Sequence, residues 1–236
     1  MGSKKFLIIA LIGVFGANAL KAQEELPGNW NSEKIRGIRF LPDANYLGTP
    51  FSFDDFLKGE IELEDGSMIG NLLLKYNNYR DELIYYNSTI STQIVVDKTS
   101  IIGFSFNDAN GINHLFRKLT YNGPMPGDRF FEILSEGDVT LLVYRKILLL
   151  SCPIYGEPGK EKNMSYQEAF SYYLYNLHKG FESVKPEKKS ILSKFEKSDQ
   201  KTVRKLLQQS KISIKDENSL VKGWNLIKGN AGTIHF

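Results

Sequence analysis

The residues best suited to chemistry in this sequence are three carboxylates, Asp65, Asp81 and Glu82. Paired carboxylates are the usual machinery of glycoside hydrolysis, one acting as acid and the other as base or nucleophile. Asp65, however, is the expected turn residue of an Asp-Gly pair, and Asp81-Glu82 falls at the start of a strand, where solvated charge is common. We favour the turn and strand interpretation and assign no catalytic residue, and a carboxylate-dependent hydrolase stays an alternative.

Tyrosines around these acids supply candidate binding residues. Exposed rings such as those of Tyr76, Tyr79, Tyr85 and Tyr86 could stack on a sugar or a peptide, although tyrosine is also an ordinary residue of β-sheets. The candidate binding residues are Tyr76, Tyr79, Asp81 and Glu82.

Sequence motifs for metal, cofactor or nucleophilic chemistry are absent. The three histidines, His114, His178 and His235, are far apart and form no metal-binding pattern. Residues 66–70 have the wrong spacing for a nucleophile elbow, and no phosphate loop or dinucleotide fingerprint occurs. Residues 107–111 alternate Asn and Asp like a calcium loop but lack its distal Glu, so a hairpin turn is predicted. We expect no metal and no cofactor.

The first 22 residues have the pattern of a secretory signal peptide. Lys4-Lys5 precede a short apolar run, Phe6 to Phe15, and small residues lead to Ala22. The run is short for a transmembrane helix, although an uncleaved membrane anchor is the alternative. We therefore expect an exported protein of the periplasm or the outer surface that is not an integral membrane protein.

Charge and cysteine content narrow the class further. Removing residues 1–22 takes away Lys4, Lys5 and Lys21 and no acid, so the formal charge falls from +3 to zero. Nucleic-acid binding needs a surplus of Lys and Arg, so no nucleic-acid partner is expected. A single cysteine, Cys152, allows no internal disulfide, and a buried structural thiol is predicted.

The elements that must position the acids and tyrosines are short antiparallel strands between Gly59 and Phe106. Apolar residues alternate with acids in 60–64, the period of a strand with one buried face. Asp65-Gly66 follows as a hairpin turn, and a polar break at 77–81 separates the next two strands. Residues 166–177 could form a strand or a helix, and we favour a strand because β-branched and aromatic residues suit a pleated surface. Further strands are predicted in 112–121, 130–134 and 139–150.

From Pro186 the period becomes that of short amphipathic helices. Apolar residues recur at helical spacing in 188–195, Ser198 or Asp199 is predicted to cap a second helix, and Asp216 a third. Such helices must pack on something, and the sheet is the obvious partner. The predicted fold class is α+β: an antiparallel β-meander forming a sandwich or partly open barrel, followed by two or three C-terminal helices.

Domain organisation and charge follow the same division. Residues 185–236 hold twelve Lys and Arg against five acids, a formal charge of +7, and residues 23–184 carry −7. Either the helices dock on an acidic sheet face, or the basic segment binds an anionic partner: an envelope protein, a glycan or an anionic membrane surface. The predicted organisation is a signal peptide 1–22, a loose lead-in 23–45, a β-rich domain 46–184, a helical segment 185–230 and a tail 231–236.

The run from Gly48 to Asn87 carries a resemblance to known proteins. It contains a Gly-Thr-Pro-Phe turn, an Asp-Gly turn and the stretch Lys75-Tyr76-Asn77, followed by Tyr79, Asp81 and Glu82. In this run and in its Lys-rich helical C-terminus, the chain resembles uncharacterised secreted β-rich proteins of Bacteroidota-type bacteria. The resemblance implies export and a β-rich fold. It implies no activity, so no catalytic residue is carried over.

The predicted function is that of an exported cell-envelope protein, a non-enzymatic binding or scaffold module. The alternatives are a small carboxylate-dependent hydrolase and a carrier of an apolar ligand inside a β-barrel. A hydrolase predicts a cleft where Asp81 or Glu82 meets another titratable group with a shifted pKa. A carrier predicts an apolar cavity inside the sheet, and a module predicts an exposed aromatic or basic patch.

Overall fold

The computed structural model describes residues 34–43, 46–152 and 163–230. The predicted signal peptide, the tail 231–236 and the side chain of Cys152 lie outside the described residues, so those predictions stay predictions.

The described residues form one antiparallel sheet of eleven strands. The strands are β1 (Gly37–Arg39), β2 (Leu57–Leu63), β3 (Met68–Asn77), β4 (Glu82–Asn87), β5 (Thr92–Val96), β6 (Ile101–Asn107), β7 (Asn113–Tyr121), β8 (Gly127–Ser135), β9 (Thr140–Cys152), β10 (Asn163–Asn176) and β11 (Gly180–Val184). Their order is β1-β5-β4-β3-β2-β6-β7-β8-β9-β10-β11, and the sheet is open, with β1 and β11 at its edges. The predicted α+β fold with a β-meander is confirmed, as one open sheet. The predicted lead-in contributes an edge strand, β1.

The strand order shows one interruption of the meander. Strands β2 to β5 follow one another as hairpins, and β6 then returns to pair with the free side of β2. A 3-10 turn at Lys98–Ser100 makes this return, with the Asp97 carboxylate accepting the Thr99 N–H at 3.0 Å. Turn residues set the geometry of a turn but not the partner of the strand that follows it. The sequence therefore predicts the strands and not this return.

Local turn chemistry agrees with the sequence. The Asp65 carboxylate accepts the Ser67 N–H at 2.8 Å, and Gly66 has a φ of +79°, which favours glycine. Between β6 and β7, the Asp108 carboxylate accepts the N–H groups of Asn110 and Ile112 at 2.8 Å each. The segment that resembled a calcium loop is the predicted hairpin turn.

One buried asparagine joins distant parts of the sheet. Asn78, in the β3–β4 turn, is 1% exposed. Its Nδ2 donates to the Arg145 carbonyl at 2.8 Å, and its own carbonyl accepts the Ile147 N–H at 3.3 Å. Its N–H donates to the Pro50 carbonyl at 2.9 Å, and its Oδ1 accepts the Ser52 hydroxyl at 2.7 Å. Because four strands separate β3 from β9, these bonds mean that the sheet is strongly curled.

Aromatic rings fill part of the interior of this curl. The inner residues of β3, β6, β7 and β8 form a cluster with ring centroids 4.6 to 6.2 Å apart, in stacked, tilted and edge-to-face arrangements. All are at most 2% exposed. The members are Tyr76, Phe104, Phe106, Phe116 and Phe130.

Three helices in the described residues cover one face of the sheet at β9 to β11. They are α1 (Lys188–Leu192), α2 (Lys197–Gln209) and α3 (Glu217–Lys228). Their apolar side chains pack with residues of β9, β10 and β11 in one buried cluster, as predicted. None of the helices in the described ranges combines the length and the hydropathy that a membrane-spanning helix needs. The buried cluster includes Leu141, Leu174, Val184, Ile191, Val203, Leu207, Leu220 and Trp224.

The helix starts are partly as predicted. Asp216 caps α3, its Oδ1 accepting the Ser219 N–H at 2.8 Å in a capping box. The prediction for α2 is wrong, because its N-cap is Glu196 and no side chain caps it. Ser198 and Asp199 instead lie in the first turn, where the Asp199 carboxylate favours the helix dipole.

Candidate functional site

Two of the predicted binding residues, Tyr76 and Asp81, meet in a buried polar cluster. The Tyr76 hydroxyl donates to Asp81 Oδ1 at 2.5 Å, and the Phe130 N–H donates to the same oxygen at 3.3 Å. Lys98 Nζ donates to Asp81 Oδ2 at 2.8 Å. Asp81 has a φ of +59°, a conformation that Asp tolerates better than most residues. The carboxylate thus ties the β3–β4 turn to β8 and to the 3-10 turn.

The pKa values in this cluster fit a structural role. Burial raises the pKa of Asp81, although the Lys98 charge and the hydrogen bonds oppose the shift. Burial, reinforced by the Asp81 charge, raises the pKa of Tyr76 well above its usual range, so its hydroxyl remains the donor. Burial also raises the pKa of Glu82, and its Oε2 is buried with no hydrogen-bond partner among the described residues.

The expected exposure of the tyrosines is wrong for two of them. Tyr76 and Tyr85 are each 2% exposed, because both project to the inner face of the curled sheet. Tyr79 and Tyr86 are half-buried. Tyr79 lies apart from the Asp81 cluster, with its ring 5.4 Å from that of Tyr166 and its carbonyl bound by Lys146 Nζ at 2.5 Å.

Tyr166 leads to a pocket that we call the tyrosine pocket. Its volume is about 260 Å³. The segment before β2 forms one wall, held on β10 because the Leu47 N–H donates to the Met164 carbonyl and the Tyr166 N–H to the Leu47 carbonyl, at 3.1 and 2.9 Å. The rings of Tyr46 and Tyr166 are 5.8 Å apart, edge to face. The lining residues are Phe40, Pro42, Asp43, Tyr46, Gly48, Pro50, Phe51 and Tyr166.

Two polar atoms of the pocket residues are buried without a hydrogen-bond partner in the described part of the chain. They are the Tyr166 hydroxyl and Asp43 Oδ2. The other Asp43 oxygen pairs with Arg80. Burial, together with the Asp43 charge, raises the pKa of Tyr166, so the hydroxyl keeps its proton. A buried polar group without a partner lowers the stability of a fold by about 1–3 kcal/mol. Native structures contain few such groups, so two in one pocket mark it as a candidate ligand site.

Phe51 also lines a second pocket, of about 230 Å³. Glu168 and Phe170 line it, and they follow Tyr166 at two-residue intervals, so all three side chains lie on one face of β10. Phe51 lines both pockets, and Tyr166 and Phe170 lie roughly 13 Å apart along β10. We call the two pockets together the aromatic groove. The second pocket is lined by Phe51, Ser52, Phe53, His114, Phe116, Glu132, Arg145, Ile147, Glu168 and Phe170.

A chain of ion pairs forms the floor of this second pocket. His114 Nδ1 donates to Glu132 Oε1 at 2.6 Å, and the other Glu132 oxygen accepts from Arg145 Nε. Arg145 also binds Glu217 of α3 through both terminal nitrogens, at 2.8 and 3.2 Å. The groove floor and the helical layer are therefore joined by one bidentate pair.

The charges of this floor favour the protonated form of the His114 imidazole. The hydrogen bond to Glu132 raises the pKa of His114 against the effect of burial, and the Asp108 carboxylate, 3.5 Å from Nε2, adds to the shift. Burial opposes ionisation of Glu132, but its bonds from His114 and Arg145 lower its pKa. Both ring nitrogens of His114 face a carboxylate, so the ring is poorly placed to take a proton from a ligand as a general base.

The sequence pointed to the neighbourhood of the groove and missed most of its residues. Tyr79 borders it, and Phe51 belongs to the Gly-Thr-Pro-Phe turn singled out above. Asp43 and Tyr166 are far apart in the chain, and no spacing signal connects them. Among the described residues, no group of three or more His, Cys, Asp or Glu is placed to hold a metal ion.

No family model, no curated protein and no solved structure matches this chain. Any statement about function must therefore be argued from the site itself.

His114 gives the first testable prediction, on pH. Because its pKa is raised above the unfolded value of about 6.5, protonated His114 stabilises the fold below about pH 6.5, and this contribution is lost as the pH rises through the folded-state pKa. The loss of unfolding free energy in His114→Gln should thus be largest near pH 5.5 and shrink toward pH 9. Urea denaturation at several pH values measures it, with exposed His178→Gln as the control. A loss that stays constant or grows with pH would contradict the assignment.

Tyr76→Phe tests whether the Asp81 cluster is structural. The change removes a donor from a buried carboxylate and should lower the unfolding free energy by about 1–3 kcal/mol. Tyr85→Phe is the matched control, because the buried Tyr85 hydroxyl only accepts from the neutral Asn87 amide, at 3.1 Å, and should cost less. If the Tyr76 variant lost no more stability than the Tyr85 variant, the Asp81 cluster would not have the role given to it.

Proposed function

We propose that the chain is an exported binding module that holds a glycan in the aromatic groove. The observation that carries the proposal is the tyrosine pocket, which aromatic rings and Asp43 line and in which the Tyr166 hydroxyl and Asp43 Oδ2 have no hydrogen-bond partner among the described residues. A sugar offers what these groups need. Its hydroxyls can donate to Asp43 Oδ2 and accept from the Tyr166 hydroxyl once binding uncovers these two atoms, while its C–H faces lie against the rings.

The length of the groove supports a chain of sugars over a single one. Tyr166 lines one pocket and Phe170 the other, both residues belong to β10, and Phe51 lines both pockets. A ligand that reaches both halves must extend over roughly 13 Å. We therefore propose an oligosaccharide or polysaccharide as the ligand.

The surroundings of Asp81 and Glu132 favour binding over hydrolysis by these two acids. The Asp81 carboxylate is engaged by three donors in the core, and none of the pockets described above is lined by it. Glu132 is engaged by His114 and Arg145. Neither carboxylate is free to act as acid or nucleophile on a bound sugar.

The carrier alternative has less support than the binding module. The five inner rings of the curl pack against one another. The part of the interior that they occupy is therefore filled with side chains. A carrier would need an apolar cavity there.

Export is the second part of the proposal. It is supported by the Lys4-Lys5 start, the apolar run and the small residues up to Ala22. The groove would then bind envelope glycans in the periplasm or at the outer surface. The basic C-terminal segment would bind a second, anionic partner.

Tyr166→Phe tests the proposal, because the change should move stability and affinity in opposite directions. Removing an unpaired buried hydroxyl should raise the unfolding free energy by about 1 kcal/mol. The same change should weaken glycan binding about tenfold, since one hydrogen bond to the ligand is lost. The half-buried Tyr86, which packs on Phe56 and is not a lining residue of either pocket, gives the control variant Tyr86→Phe.

Binding is measured by calorimetry and by chemical-shift changes with neutral tetrasaccharides of glucose, N-acetylglucosamine, xylose and mannose, and with the matching monosaccharides. We expect at least one tetrasaccharide to bind saturably and more tightly than its monosaccharide. The proposal fails if no sugar binds, or if Tyr166→Phe binds the best tetrasaccharide as tightly as the unmodified chain does.

A further inference from the structure

Helix α2 presents a stripe of positive charge to solvent. Lys197, Lys201, Arg204 and Lys205 are all exposed. At about 100° per residue, the four side chains fall within one arc of roughly 100°, on the side of α2 away from its buried residues Val203 and Leu207. We call these four residues the α2 stripe.

The spacing within the α2 stripe weakens the helix. Lys197 and Lys201, and then Lys201 and Lys205, stand four residues apart, which places like charges roughly 6 Å from each other along the axis. Like-charge pairs at this spacing destabilise a helix by about 0.2–0.5 kcal/mol each. An anion bound along the stripe would remove this cost.

The sheet does not neutralise the α2 stripe. In the described part of the chain, the ion pairs that join the helical segment to the sheet are Arg145–Glu217 and Lys194–Glu182. No residue of the stripe forms an ion pair with a described residue. Docking on an acidic sheet face therefore does not account for the charge of this helix.

We propose that the α2 stripe docks the protein on the anionic surface of a lipid bilayer. The apolar residues of α2 are buried against the sheet. The contact between α2 and the bilayer is therefore electrostatic, and the helix lies along the bilayer surface. Sites for polysaccharides or single-stranded nucleic acids usually contain aromatic rings on which sugars or bases stack. Helix α2 contains no aromatic residue, which favours a bilayer over these two partners. Three of the four cations are Lys, whose compact charge suits scattered headgroup phosphates better than paired recognition.

The test is co-sedimentation of the purified chain with vesicles of phosphatidylcholine alone and of phosphatidylcholine mixed with phosphatidylglycerol. Binding to the neutral vesicles serves as the baseline. The triple variant Lys201→Gln, Arg204→Gln, Lys205→Gln should lose about fivefold in partitioning per cation, on the order of a hundredfold in total. The matched control is Arg36→Gln, Arg39→Gln, Lys58→Gln, which removes the same charge from exposed sites on the sheet side. Circular dichroism checks that both variants fold.

The proposal is supported if the chain binds the anionic vesicles above baseline, if salt weakens this binding, and if the α2 variant loses far more than the control. Equal losses in the two variants would show an effect of net charge alone and overturn it. The proposal would also be overturned if the chain bound soluble heparin but bound the anionic vesicles no more than the neutral ones. That result would favour a polyanionic chain as the partner. Sugar binding in the groove is measured separately and does not depend on this outcome.

Discussion

The side chain and backbone of Asn78 hold together the parts of the molecule on which the groove depends. The residue is buried in the β3–β4 turn and uses its N–H, carbonyl, Nδ2 and Oδ1, with partners in the segment 50–52 and in β9. The first of these partners is one wall of the groove, and β9 lies beside β10, which carries Tyr166. A buried amide with every group paired specifies one geometry, because any shift would leave a polar atom without a partner.

Fold features that depend on local chemistry could be predicted from the sequence. Asp65-Gly66 makes its turn because glycine accepts a positive φ, and Asp216 caps α3 because its carboxylate reaches the N–H three residues on. Features that depend on partners far along the chain could not. The polar break at 77–81 predicts a turn, but nothing in it indicates that Asn78 will bond to residues 145 and 147.

The candidate site shows the same limit more strongly. Alternation tells which residues share a face of a strand but not which face turns inward when the sheet curls, so Tyr76 was expected at the surface and lies in the core. The sequence correctly predicts a strand at Tyr166. The residues that line the pocket beside it, Asp43 and Tyr46, come from the lead-in and from the segment before β2. The positive charge of the C-terminal segment can be predicted from the sequence, because it depends on composition and not on contacts.

The groove and the helical layer are also connected energetically. Arg145 stands between Glu132, on the groove floor, and Glu217, in the first turn of α3. Breaking such a partly buried pair leaves a charge uncompensated, which keeps the helical layer and the groove floor in one arrangement. In contrast to these paired charges, the Tyr166 hydroxyl and Asp43 Oδ2 have no hydrogen-bond partner within residues 34–43, 46–152 and 163–230.

Native-state hydrogen exchange of Asn78→Ala tests the central claim most directly. If Asn78 holds the curl and the groove wall, the amides of Ile147 and Tyr166 should exchange faster in the variant. The amide of Leu63, which donates to the Ser67 carbonyl at the end of the β2–β3 hairpin opposite to Asn78, should keep its protection. Unchanged protection of Tyr166 would contradict the account, because the groove would then not depend on the contact that Asn78 makes.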